Sequence, residues 1–173
     1  QVEVGGSIIV DSGLVKLRVL RKKDSALQCK VLDPGILGAR RHVNLPGIAV
    51  KLPSITGRDR KDIRFGLEQG VDGIAISFVR SAAAIRDVRE LLGERGERIK
   101  LIAKIENQEG VDRLEEIVAE SDGIMVARGD LGIEVDMEEV PQIQRHIAYL
   151  CATHGKRLIV ATQLLESMIE NPV

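Results

Sequence analysis

From about residue 53 onward the chain repeats one unit: a short, almost purely apolar run followed by an amphipathic stretch of helical period. Such runs occupy 73–78, 100–106, 123–128 and 158–162. Asp72-Gly-Ile-Ala-Ile-Ser recurs as Asp122-Gly-Ile-Met-Val-Ala, an interval of two βα units. Unbroken apolar strands are what a parallel sheet covered on both faces requires. Between them the spacing predicts a helix near 58–69. A second, over 81–92, would carry Ile85, Val88 and Leu92 on one face and stop at Gly93. Val111, Leu114 and Val118 form the stripe of a third, running to about Glu120. A fourth, over 137–154, carries Val140, Ile143, Ile147 and Cys151 and ends at Gly155. Repeated βα units suit either a doubly wound sheet or a β/α barrel. Four such strands are visible where a closed barrel needs eight, and the chain stops at Asn171-Pro172-Val173. The expectation is an internal fragment of a longer protein, with open sheet edges prone to aggregation.

Residues 1–50 differ in texture. They are rich in β-branched residues, glycine and turns, and lack helical periodicity. Strands are expected at 7–10 and 14–20 around an Asp11-Ser12-Gly13 turn, and at 27–32, closed by Asp33-Pro34-Gly35. Leu45-Pro46-Gly47 then breaks the pattern. The division is therefore a small β-rich domain over 1–50 and a βα portion over 51–173. Aromatic residues make up only 2% of the chain, so its core must be aliphatic, and a base-stacking or carbohydrate platform has little to build on. A net charge of -1 supplies no basic footprint for nucleic acid. No apolar run approaches the ~20 residues that span a bilayer, and the first residues do not read as a signal peptide. Cys29 and Cys151 lack metal-ligand spacing and read as reduced thiols of a cytoplasmic protein.

Polar chemistry is concentrated where the strands end. In Leu101-Ile-Ala-Lys-Ile-Glu106, Lys104 and Glu106 are two apart and share a face, while Ile105 points the opposite way. The next strand ends Val126-Ala-Arg-Gly-Asp130, placing a second carboxylate at an adjacent strand end. Two carboxylates so placed suit Mg²⁺ or Mn²⁺, hard cations that take oxygen ligands and leave room for substrate and water. A lysine beside them can neutralise charge on a transferring phosphoryl group or an enolate. A purely structural ion pair is the alternative, but burying charge costs several kcal/mol per ion unless it is well paired. Gly129 reads either as a turn glycine or as part of a Gly-Asp-Leu-Gly segment before a helix, with backbone N–H groups open to an anion. Thr162 is either a β-favouring residue or a hydroxyl that binds phosphate or relays a proton. Ser77 and Arg80 are similarly open. His42, His146 and His154 are scattered and read as structural or solvated.

At these motifs the sequence resembles pyruvate kinase. The matching segments are Lys104-Ile-Glu-Asn-Gln-Glu-Gly110, Met125-Val-Ala-Arg-Gly-Asp-Leu-Gly132 and Ala161-Thr-Gln-Leu-Leu-Glu-Ser-Met168. Val43-Asn-Leu-Pro-Gly47 and Ser77-Phe-Val-Arg80 support them. The resemblance implies part of a TIM-type (β/α)8 barrel, about four βα units, joined to the later part of a small all-β inserted lid. The remaining barrel and a C-terminal regulatory domain would lie outside the chain. It implies Mg²⁺-dependent phosphoryl transfer from phosphoenolpyruvate to ADP, giving pyruvate and ATP, the last step of glycolysis. Glu106 and Asp130 would bind the metal. Lys104 would stabilise the phosphoryl group in flight. Gly129, Asp130 and Thr162 would contact substrate, with Thr162 near the proton path to the enolate. Arg41 falls where the family usually carries a nucleotide-side lysine. K⁺ is expected of the family, with its ligands outside this chain, as are a homotetrameric parent and a cytoplasmic location. Two positions depart from the family pattern: the lid segment Asp11-Ser12-Gly13 lacks one acidic residue, and Lys51 replaces a usual aspartate. The chain by itself is expected to be inactive although its parent is active.

Two other functions compete. Mg²⁺-dependent aldolases on phosphoenolpyruvate/pyruvate-type barrels also hold a metal between a Glu and an Asp on neighbouring strands. Lys104 two residues before the metal Glu, and the β-rich lid, favour the kinase. The other competitor is a non-catalytic binding fragment.

Overall fold

The computed structural model describes residues 2–11, 13–48, 53–162 and 169–170. Ser12, Lys51 and residues 163–168 of the third motif lie outside them, as do the domain boundary drawn at 50/51 and the terminal Asn-Pro-Val.

The first part is a four-stranded antiparallel sheet. Its strands are β1 (Ser7–Val10), β2 (Val15–Lys23), β3 (Ala26–Asp33) and β4 (Val43–Asn44), in the spatial order β3-β2-β1-β4. Ile8, Val10, Val15 and Val19 alternate inward and form a small apolar cluster with Val2. The two-residue β4 is too short to show any period and was not expected.

The second part begins with α1 (Gly57–Glu68), opened by a capping box. Thr56 Oγ1 accepts from the Asp59 N–H at 3.2 Å, and Asp59 Oδ2 accepts from the Thr56 N–H at 2.7 Å. The Thr56 hydroxyl, which also donates to Asp59 Oδ2 at 2.7 Å, and then the Thr56 N–H hold the Asp59 carboxyl below its ordinary range. There follow β5 (Gly73–Ile76), α2 (Ala82–Leu92), β6 (Lys100–Ile105), α3 (Gln108–Asp112), α4 (Leu114–Glu120), β7 (Gly123–Ala127), α5 (Arg128–Glu134), α6 (Val140–Thr153) and β8 (Arg157–Ala161). Sheet order is β5-β6-β7-β8, all parallel. Parallel crossovers are right-handed, so an order that never reverses puts the connecting helices on one face. In agreement, α1 packs on α2, α2 on α4 and α4 on α6. A doubly wound sheet would reverse direction and cover both faces; this is an arc of a β/α barrel. Leu101, Ala103 and Ile105 are fully buried, as are Ile85, Val88, Ile117 and Ile147 on the helices. The alternate residues Ile102 and Lys104 are only partly covered.

Two expected helices differ in form, and one helix is additional. The stripe from Val111 to Val118 is two helices, because Arg113 (φ −114°, ψ 25°) leaves the helical region between them. Asn107 starts the first, its side chain accepting from the Gly110 N–H at 2.8 Å. The 137–154 helix begins as a 3₁₀ turn, Met137–Glu139, and becomes α-helical where Pro141 occupies the first turn, a position that lacks an intrahelical N–H bond in any case. Helix α5 was not expected, and the Gly-Asp-Leu-Gly segment lies within it rather than before it.

The end of the arc opposite the candidate site is tied by Asp122. Its Oδ2 accepts from the Leu101 N–H at 2.8 Å and pairs with the Arg89 guanidinium, while Lys100 lies 3.7 Å from Oδ1. Burial pushes the carboxyl up, but the Leu101 bond and the two cations outweigh it and hold it below the ordinary range. A carboxyl depressed on folding stabilises above its unfolded pKa, ~3.9, and that stabilisation is lost as pH falls through the folded value. Asp122→Asn should therefore cost about 1–3 kcal/mol at neutral pH, with the gap to the parent closing below about pH 4 in urea titrations run at stepped pH. Gly110 has a separate constraint: a Cβ there would lie 2.5 Å from the Val79 carbonyl oxygen. Gly110→Ala should lower stability by about 1–3 kcal/mol, read from the urea midpoint.

Candidate active site at the strand ends

The register between β5 and β6 builds the site. Ile76 pairs with Ala103, so the residues that follow, Ser77 and Phe78, run alongside Lys104 and Ile105. Lys104 Nζ donates to Ser77 Oγ at 3.0 Å. The Val79 N–H donates to the Lys104 carbonyl at 3.3 Å. Phe78 adopts φ 52°, a left-handed conformation that costs a non-glycine residue about 1–3 kcal/mol. Its N–H thereby donates to Glu106 Oε2 at 2.6 Å. A charge-assisted bond of this kind is among the stronger ones available, and it offsets the strain.

Glu106 is fully buried. Lys104 Nζ lies 2.7 Å from its Oε1, confirming that the two side chains share a side. Oε1 nonetheless makes no directed hydrogen bond. The contact is therefore charge on charge, with the ammonium's directed bond going to Ser77. A buried carboxylate oxygen thus retains lone-pair capacity, and such an atom fits a hard cation.

Pairing of β6 with β7 places Ile105 beside Val126, so Glu106 and the start of α5 lie at neighbouring strand ends. Asp130 is partly buried in the first turn of α5. Pairing of β7 with β8, Ala127 beside Ala161, brings in Thr162. The Gly129 N–H donates to Thr162 Oγ1 at 3.3 Å. A Cβ at Gly129 would come within 3.2 Å of Thr162 Cγ2, a tight contact that the threonine methyl would have to yield to. Lys104, Glu106, Gly129, Asp130 and Thr162 thus stand on three successive strand ends. Among the described residues no group of three or more His, Cys, Asp or Glu side chains could hold a metal. A cation at Glu106 and Asp130 would therefore need substrate or water to complete its oxygen shell.

Arg41 stands apart, in the connection between β3 and β4, where its Nη1 lies 3.3 Å from Asp11 Oδ1. Its immediate neighbour His42 and the helical His146 are exposed. His154 Nδ1 lies 3.0 Å from the Leu150 carbonyl. Cys29 and Cys151 are both free thiols. Sequence reasoning missed Phe78, whose contribution is a backbone N–H. The sequence puts Phe78 inside the 73–78 run, whose strand ends at Ile76; the available signal was its place in the Ser77-Phe-Val-Arg80 segment. The two parts of the chain meet at this end: Asn44 Nδ2 donates to Glu134 Oε1 at 2.7 Å, joining β4 to α5.

Fold and site together define a β/α-barrel protein with a lysine and two carboxylates at the C-terminal strand ends, where barrel proteins carry their active sites. The family model "Pyruvate kinase, barrel domain" matches residues 1–173. The chain is 49% identical over 173 residues to "Pyruvate kinase" of Dictyostelium discoideum and 51% identical over 172 residues to "Pyruvate kinase 2" of Trypanosoma brucei brucei. It is 45% identical over 172 residues to "Pyruvate kinase" of Clostridium perfringens. Each comparison covers 99% of this chain but 34%, 34% and 36% of the relative, so the chain spans about a third of the length of these curated relatives. The chain belongs to the pyruvate kinase family.

Removing the Lys104 ammonium strips Glu106 of its counter-charge. Lys104→Met should destabilise by up to about 3 kcal/mol, and by much less in a Glu106→Gln background, as a double-mutant cycle in urea would show.

Proposed function

We propose that this chain supplies the middle of a pyruvate kinase site, one that transfers the phosphoryl group of phosphoenolpyruvate to ADP and yields pyruvate and ATP in glycolysis. The observation that carries this reading is the buried Glu106 carboxylate at a barrel strand end, with a lysine against one oxygen and a backbone N–H on the other. In this reading β1–β4 are the later part of a lid over the barrel end, and Arg41 lies on the nucleotide side. Glu106 and Asp130 would hold Mg²⁺ or Mn²⁺. The metal, when bound, supplies positive charge for the phosphate oxygens.

Lys104 adds a second positive charge, held in place by Ser77 and Glu106. Phosphoryl transfer has a loose transition state, so fixed charge and positioning account for most of its catalysis. Asp130 and the Gly129 backbone face the substrate side. The Thr162 hydroxyl, on β8's end, stands where a proton can pass toward the enolate left by transfer. Closure of a lid would exclude water and so protect the product from hydrolysis. No helix among the described residues is long and apolar enough to cross a membrane. The cytoplasm as the place of the reaction follows from the family reading alone. The complete protein would be a homotetramer.

The test is coupled ADP-dependent pyruvate release by the complete protein with Mg²⁺ or Mn²⁺, set against aldol cleavage. Pyruvate formed only with ADP is expected; cleavage without ADP would overturn the reading. In a direct Mn²⁺ titration, Glu106→Gln should weaken binding at least about tenfold, or about 1.4 kcal/mol. Unchanged Mn²⁺ affinity would remove Glu106 from the metal site.

A further inference from the structure

Thr162 holds φ 71°, a backbone conformation that β-branched residues rarely adopt. The first turn of α5 meets it there. Arg128 Nε donates to the Ala161 carbonyl at 3.2 Å, and Arg128 Nη2 donates to the Thr162 carbonyl at 3.0 Å. One guanidinium therefore spans two successive carbonyls at the point where β8 ends. The Thr162 hydroxyl donates to the Ala161 carbonyl and accepts from the Gly129 N–H. Both directions of that hydroxyl are thus set by groups the Arg128 turn controls.

We propose that Arg128 is a positioning residue for Thr162. It fixes the left-handed backbone that holds the hydroxyl over the Gly129 amide, beside Asp130, without touching substrate itself. The planar fork of arginine suits this task. A lysine offers a point charge that cannot match two carbonyls at a fixed spacing. The catalytic part of the proposal rests on the reading of Thr162 as a substrate-facing residue; the structural part does not.

Two measurements on the complete protein separate these parts. In spectra of threonine labelled with ¹³C at the methyl group, the Thr162 signal is assigned by its loss in Thr162→Ala. Arg128→Gln should shift it while Thr56 and Thr153 stay in place. If Arg128→Gln fails to fold, so that all three signals collapse, Arg128→Lys takes its place with the same expected shift. A Thr162 signal unmoved by a folded variant overturns the proposal. In steady-state assays, Arg128→Gln should lower kcat/KM for phosphoenolpyruvate about 10- to 100-fold, and Arg128→Lys should recover little of it. In a Thr162→Ala background the same change should cost less than about threefold, because the two residues act as one unit. Equal losses in both backgrounds would show Arg128 acting independently and overturn the proposal. A parent protein with no ADP-dependent turnover would instead refute the function proposed for the site, and the methyl spectra would still decide whether Arg128 holds Thr162.

Discussion

A carboxylate with no solvent exposure organises this end of the molecule. Isolated, the Glu106 charge would cost several kcal/mol to bury, and its surroundings are arranged to meet that cost. One oxygen takes the Phe78 N–H at 2.6 Å, and the other lies 2.7 Å from the Lys104 ammonium. The first contact needs Phe78 in a left-handed conformation; the second needs β6 to present two residues on one side. Ser77 then steadies the lysine. The loop after β5 is thus bound to the end of β6 by a charge it helps to bury.

A similar logic runs along the remaining strand ends. Helix α5 is short and contains two glycines, so its own propensity is poor. It is held by what it touches: Leu131 is fully buried, its first turn binds the end of β8, and Glu134 meets Asn44 of the antiparallel sheet. Asn44 is itself buried, with its Oδ1 unpartnered among the described residues. Helix α5 therefore links three elements that are distant in sequence. At the opposite end of the arc, Asp122 does comparable work, joining the start of β6 to Arg89 of α2. The arrangement accords with membership of the pyruvate kinase family, whose barrel-domain model matches all 173 residues.

Much of this was readable before any coordinates. The apolar runs and helical stripes located all four parallel strands and the cores of α1, α2, α4 and α6, because burial imposes periods of 2 and 3.6 that residues such as Ile85, Val88 and Leu92 display directly. Elements too short to express a period escaped: β4 has two residues, and α5 offers only Leu131 as a fully buried side chain. The break at Arg113 escaped because Leu114 and Val118 continue the stripe across it. Ser81 occupies a cap position, yet its side chain makes no cap bond; the Ala82 N–H is met by Glu116 of α4 at 3.3 Å. A tertiary contact there meets the N–H that a local cap would otherwise serve.

The division of labour between sequence and tertiary structure is clearest at Lys104 and Glu106. The two-residue spacing alone put both side chains on one side of β6, because successive strand residues alternate. The motifs around them were enough to indicate the family. Spacing could not say that Phe78 would turn its N–H onto Glu106, that Ser77 would hold the lysine, or that Arg128 would grip the end of β8. It also left barrel and doubly wound sheet equally open. Those outcomes depend on which strands become neighbours and in what register, and only the assembled sheet decides that.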